Sequence, residues 1–298
     1  SAHEYVHRWD QDGDGLMEHR PAYGSRGIAS YNEEVPHPLV AGDQVAAQYA
    51  GYLAFANFAE QDGNDLMAAN ARARAAELKA IYNQRWWCEE AGRFYSYLLQ
   101  DRTFCSEYHG SANFLPLYFG LVEDERRAAL ALQDVIDHGR RNVEERSYLP
   151  GLYYQYGRIE DAYAELCAQI DPSYARREYP EVSFAVIGNL AAGMMGLAPD
   201  ARERAVVTCP ALARQTTWAE LAHVPALDNL ISVRHEENRA TTLVNLVGPA
   251  FYWQATFPGR VEEIVVDGRP YPALGAVDAR GREISWAAVR MGPQESHR

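Results

Sequence analysis

Up to about residue 200 apolar and polar positions recur at helical spacing; beyond it they alternate in short β-branched runs broken by Gly, Pro and Asn. A helical remnant over His3–Trp9 ends at the turn Asp10–Gly15, and residues 16–42 show no helical period. A helix is predicted over Asp43–Glu60, where Ala46, Ala47, Tyr49, Ala50, Leu53, Phe55 and Phe58 cover most of the circumference and predict burial nearly all round. Gln61–Asn64 is a tight connection with Asn64 as N-cap. Asp65–Trp86 then places Leu66, Ala69, Ala73, Ala76, Ala80 and Ile81 on one stripe, the mark of an outer helix with one buried face. This inner/outer alternation recurs as Ala112–Phe119 with Glu123–His138, as a short segment around Leu152 with Ile159–Ile170, and finally as Glu181–Leu197, whose Gly188, Gly193 and Gly196 permit close packing. No sequence repeat of fixed period accompanies it, which argues against a solenoid.

Strands are predicted at Ala205–Thr208, Leu230–Arg234, Ala240–Leu246, Ala250–Phe257 and Glu263–Val266. Asp267-Gly268 is a hairpin signal. The spacing suggests an antiparallel sandwich with Trp218, Trp253 and Trp286 in or beside its core.

Composition narrows the function. The 298 residues carry a net charge of −13, which repels nucleic acid instead of attracting it. No apolar run is long enough to span a bilayer, so no membrane partner is expected. The N-terminus has no basic region followed by an apolar run, so no intact signal peptide is read there; a processed chain would look the same, and a cytoplasmic or exported location both stay open. Cys88, Cys105, Cys167 and Cys209 form no C-x-x-C pair, so neither zinc nor a redox motif is suggested; free thiols are expected, with a Cys88–Cys105 disulfide open to an exported protein. Six Trp and nineteen Tyr offer flat faces with polar tips, which suit sugar rings.

Three segments carry a resemblance. One is the turn Arg8-Trp9-Asp10-Gln11-Asp12-Gly13-Asp14-Gly15-Leu16. Another is Ala71–Tyr95, with Leu78-Lys79, Asn83, Trp86-Trp87 and Gly92-Arg93-Phe94-Tyr95. A third is Met195–Asp200 ahead of Trp218-Ala219-Glu220 and Ile231-Ser232-Val233. Together they resemble the six-hairpin, (α/α)6-barrel glycosidases, a group that includes trehalases, processing glucosidases, glucoamylases and rhamnosidases. The resemblance implies a mostly α chain: (α/α)6-toroid hairpins over 1–200, forming the C-terminal half of a catalytic domain, then a small antiparallel β-sandwich over 201–298. About half the helices of a full barrel are counted. An incomplete barrel is therefore expected, with an exposed apolar face that the missing N-terminal half or another subunit would cover.

The implied activity is hydrolysis of an oligosaccharide or glycoside with inversion and no organic cofactor. Inversion needs an acid and a base carboxyl roughly 6.5–9.5 Å apart. Two places offer them: Glu33, Glu34 and Asp43 around the first inner helix, and Glu178 and Glu181 before the last. Glu34 is assigned as acid and Glu181 as base, with Glu178 and Asp43 as further candidates. The Gly-Trp-Asp acid segment of the trehalase-like families is absent from residues 20–42. Each position also has a structural reading: Asp43 as an N-cap, Glu181 as an acid favoured by the helix dipole, Glu178 as a partner of Arg176 or Arg177.

His109 and Asn113 could hydrogen-bond sugar hydroxyls, and Tyr108 or Trp87 could stack on a ring; alternatively His109–Ala112 only opens a helix. Asp10, Asp12 and Asp14 occupy positions 1, 3 and 5 of an EF-type loop, with the Leu16 carbonyl and Glu18 as further ligands of a structural Ca2+. Pro21 at position 12 excludes a true EF-hand. Two rival functions stand beside hydrolysis: a non-catalytic carbohydrate-binding or scaffold protein of the same fold, and a phosphorylase using Arg176-Arg177 as anion pocket.

Overall fold

A computed structural model describes residues 8–19, 38–138, 142–175, 178–278 and 280–298. Glu33, Glu34, Arg176 and Arg177 lie outside the described residues. A helical part is followed by a β-rich C-terminal part, and the chain forms two compact units, Ser1–Arg141 and Asn142–Arg298.

In the first unit, β1 (Val40–Ala41) leads straight into α1 (Gly42–Gln61), which is joined by a tight turn to α2 (Asp65–Arg85). Asn64 is the N-cap of α2, its side chain accepting the Met67 N–H at 3.1 Å. α1 is buried nearly all round only near its start; further on it packs along one side, and Phe58 is exposed. The buried stripe of α2 is Ala68, Ala71, Ala75, Leu78 and Tyr82, not the expected one, and Leu66 lies in solvent. Alanine on every side leaves the helix phase open to several choices. The large Leu78 and Tyr82 settle it, because they gain most from burial.

After α2 come the short hairpin β2 (Trp87–Cys88) and β3 (Arg93–Phe94), then β4 (Tyr97–Leu98) and β5 (Phe104–Cys105). β4 lies between β1 and β5, with Ala41 opposite Tyr97 and Tyr97 opposite Cys105. Tyr82 stacks on Trp86 and Phe94, and Trp86 meets the edge of Phe104. α3 (Ser111–Tyr118) and α4 (Glu125–His138) complete the unit; Ala128, Ala131, Leu132 and Val135 give α4 the single buried face of an outer helix.

The second unit opens with α5 (Val143–Gln155), capped by the Asn142 side chain, then α6 (Ile159–Ile170) and α7 (Pro180–Gly188), which runs into a π-helical turn at Asn189–Met194. Gly193 is required in that turn, since a Cβ there would lie 2.3 Å from the Tyr154 ring. α7 buries Val182 but exposes Phe184 and Ile187, 74% and 66% accessible.

Strands follow from Ala198: β6 (Ala198–Asp200), β7 (Ala205–Thr208), β8 (Trp218–Ala226), β9 (Asn229–Glu236), β10 (Ala240–Val247), β11 (Phe251–Pro258), β12 (Glu263–Val266), β13 (Arg269–Pro272), β14 (Leu274–Val277), β15 (Glu283–Met291) and β16 (Ser296–His297). One sheet has the order β16-β10-β9-β8 and another β14-β15-β11-β7-β6. A single core takes Ile231, Val233 and Leu243 from the first and Val206, Phe251, Trp253 and Ala287 from the second. The second sheet is not wholly antiparallel, because β7 pairs parallel with β11. Parallel neighbours need a long crossover, which residues 209–250 supply. The Asp267-Gly268 hairpin forms as predicted, with φ of 49° and 78° at its two residues, the type I′ requirement. Trp253 is central and donates Nε1–H to Thr208 Oγ1 at 2.8 Å. Trp218 is instead half exposed beneath the Arg234 guanidinium, and Trp286 is half buried. All four cysteines are free thiols, Cys88 and Cys105 included.

Candidate functional site

In the first unit the starts of α1 and α3 meet. Asp43 is not the N-cap of α1; that position is Ala41, in extended conformation, and Asp43 lies in the first turn. Its carboxylate is buried, 3% accessible, and Oδ2 accepts the Ser111 hydroxyl at 3.3 Å. The Tyr82 hydroxyl is held well above its usual pKa by complete burial and, secondarily, by the charge of Asp43. A buried carboxylate is tolerable here because the N–H groups of the helix start favour negative charge.

His109 sits just ahead of α3, with its ring 4.8 Å from that of Tyr97 and Nε2 3.8 Å from Glu107 Oε2. Burial lowers its pKa, with the Glu107 charge opposing. Asn113 is occupied by the backbone: Oδ1 accepts the His109 N–H at 2.7 Å and Nδ2 donates to the Phe94 carbonyl at 3.0 Å. Tyr108 stacks on His138 at 4.1 Å, with the Arg93 guanidinium 5.9 Å from its ring. Trp87 is buried, edge-on to Phe94 and under the Arg127 guanidinium. The structure thus gathers Asp43 and Ser111 at the helix starts, with His109 just ahead of Ser111 in sequence, while the faces of Tyr108 and Trp87 are engaged within the protein.

The acidic turn is held by its own carboxylates. Asp10 accepts the N–H groups of Gly13 and Gly15, Asp12 that of Asp14, and Asp14 that of Leu16. Carboxylate oxygens of Asp10, Asp12 and Asp14 lie within 4.8 Å of one another. Burial raises the Asp14 pKa; the Leu16 N–H opposes, and the Asp12 and Asp10 charges add to the rise. Glu18 is buried beside the turn, accepting the Gln11 N–H at 3.1 Å, with Arg102, which also pairs with Asp12, 3.8 Å away. Gln44 and Gln48, one turn apart on α1, tie the segment down by donating to the Met17 and Gly15 carbonyls, both at 2.9 Å. A cleft beside the turn is lined by Asp10, Asp14, Gln48, Tyr52, Arg74 and Glu77.

In the second unit Glu181 is in the first turn of α7, directly after Pro180, and Glu178 is in the preceding turn; both are exposed. The roles of Ser111, Gln44 and Gln48 were missed from sequence. An amide four residues from another on a buried face was the available signal for the glutamines; Ser111 gave none.

Residues 7–149, just under half of the chain, match the family model of the mannosylglycerate hydrolase MGH1-like glycoside hydrolase domain. No curated protein sequence matches the chain. Similar solved structures include the GH78 family rhamnosidase of Bacillus sp. GL1, with a TM-score of 0.58 and 16% identity over 83% of this chain and 27% of that one. The alpha-L-rhamnosidase from Dictyoglumus thermophilum gives 0.58 and 14%, over 84% and 30%. A structure described as a sialidase gives 0.61 and 11%, over 95% and 30%. At these identities the likeness is one of fold, and the chain spans less than a third of each of these structures. In sequence over residues 7–149 and in fold over most of its length, the chain resembles glycoside hydrolases of the six-hairpin type. The particular domain matched in sequence is the MGH1-like one.

Proposed function

We propose that this chain belongs to a glycoside hydrolase that cleaves an oligosaccharide or glycoside with inversion. Glu34 protonates the leaving oxygen and Glu181 activates water, with Asp43 and Glu178 as the alternative carboxylates. The match of residues 7–149 to a glycoside hydrolase domain carries the reading. The buried Asp43 at a helix start supports a charged site on that face. The fold likeness to rhamnosidases makes rhamnosides the first substrates to try; the mannosylglycerate in the family description adds a sugar joined to an organic acid.

In this reading the hairpins belong to an (α/α)6 toroid and the strands to a β-sandwich. Phe184 and Ile187 of α7 are then covered by further hairpins or by another subunit. Asp10, Asp12 and Asp14, with the Leu16 carbonyl and Glu18, hold a calcium ion that braces the loop; hard, mutually repelling carboxylates suit that ion.

The test is hydrolysis of nitrophenyl glycosides, rhamnosides included, and of mannosylglycerate by the longest natural form of the protein, with the product anomer followed by NMR. Turnover with inversion supports the reading. Turnover that depends on phosphate indicates a phosphorylase, and sugar binding without turnover a scaffold.

A further inference from the structure

We propose that Cys105, Glu107 and His109 form a binding site for a borderline-soft divalent metal ion, zinc foremost. Their Sγ, carboxylate oxygen and imidazole nitrogen all lie within 4.8 Å of one another, and His109 Nε2 is 3.8 Å from Glu107 Oε2. In a tetrahedral zinc site, bond lengths of about 2.0–2.3 Å put ligand atoms about 3.3–3.8 Å apart. The cluster is therefore within a small side-chain adjustment of coordination. Glu107, 82% exposed, has the freedom to make it.

Cys105 ends β5, and the chain bends at Glu107 on its way to His109, just ahead of α3, so the three ligands come from one short segment. No C-x-x-C pair is involved, which is why cysteine spacing pointed away from zinc.

Both ends of the segment are anchored. The Cys105 carbonyl accepts the Ser96 N–H at 3.0 Å, and the His109 N–H is held by Asn113, itself fixed to the Phe94 carbonyl. Tyr97 lies opposite Cys105 in the sheet and its ring packs against His109. A preformed backbone lowers the cost of ordering the ligands.

The donor set separates this site from the acidic turn, where only oxygens are offered. Thiolate and imidazole select zinc or cobalt over calcium. Binding forms a metal–sulfur bond and releases the thiol proton to solvent. Three protein ligands leave a fourth position for water or a ligand oxygen. This inference does not depend on the glycosidase reading.

The test is titration of the full chain with Co2+ and Zn2+. Expected are one bound ion per chain that excess Ca2+ does not displace, and a thiolate-to-cobalt charge-transfer band that Cys105→Ser abolishes. Glu107→Gln, at an exposed position that folding tolerates, is expected to weaken zinc binding at least about tenfold. No charge-transfer band in the wild type, a band that survives Cys105→Ser, or unchanged affinity in Glu107→Gln each overturns the three-ligand site.

Discussion

Ser111 Oγ donates to Asp43 Oδ2 across 3.3 Å, joining the first turns of two helices whose paired residues are 68 apart in sequence. The approach is close because Gly42 is the residue before Asp43: a Cβ there would lie 2.4 Å from the Ala112 carbonyl oxygen. That contact is with backbone at a helix start and cannot be relieved by a side-chain rotation.

Gly42→Ala is accordingly expected to destabilise the protein by about 1–3 kcal/mol, the usual cost of overpacking. Chemical denaturation measures it. A midpoint unchanged from wild type would show that the two helix starts are not held as closely as described.

The carboxylate assignments predict different losses. Glu34→Gln and Glu181→Gln should each lower kcat by about a hundredfold or more, and Glu178→Gln by far less. Steady-state kinetics on the best substrate of the glycoside panel, with melting curves to show that each variant is folded, decide it. Comparable loss in Glu178→Gln would move the base to that residue.

Calcium should raise the melting temperature, because an ion that binds only the folded turn stabilises it by about 2.7 kcal/mol at a hundredfold excess over Kd. Asp10→Asn combined with Asp12→Asn should remove the response. Thermal melts with calcium and with chelator read it directly, and identical curves would leave the turn held by its own Asx hydrogen bonds.

His235 predicts an acid weakness in the second unit. It is wholly buried, with Nε2 2.9 Å from the Met195 carbonyl and Nδ1 2.8 Å from Thr241 Oγ1. Nε2 must donate to the carbonyl, and in the neutral ring that burial favours Nδ1 accepts from the threonine hydroxyl. Burial lowers its pKa, the Met195 carbonyl opposing. The unfolded chain, with an ordinary value near 6.5, therefore binds the proton first. Stability should be full above that pH and fall below it by at most about 1.4 kcal/mol per pH unit until the folded pKa is reached. Denaturation midpoints from pH 8 to 5 should show this slope, and His235→Gln should flatten it.

Much of the architecture was legible along the chain. Helical spacing marked α1–α4, Asn64 announced its cap, and Asp267-Gly268 its hairpin, because each depends on contacts within a turn or two of backbone. The phase of α2 was misread for a complementary reason. Its many alanines weigh almost equally, and only the neighbours of Leu78 and Tyr82 choose between faces.

By itself the sequence determined where the chain coils, where it extends and which turns are tight, since those choices rest on propensity and local hydrogen bonds. Tertiary structure alone decided that Ser111 meets Asp43, that β7 lies parallel to β11, and that the amide of Asn113 serves its own backbone instead of facing outward. Each of these depends on groups that are distant along the chain or on a competition among partners, and the fold settles it by what must be buried and satisfied together.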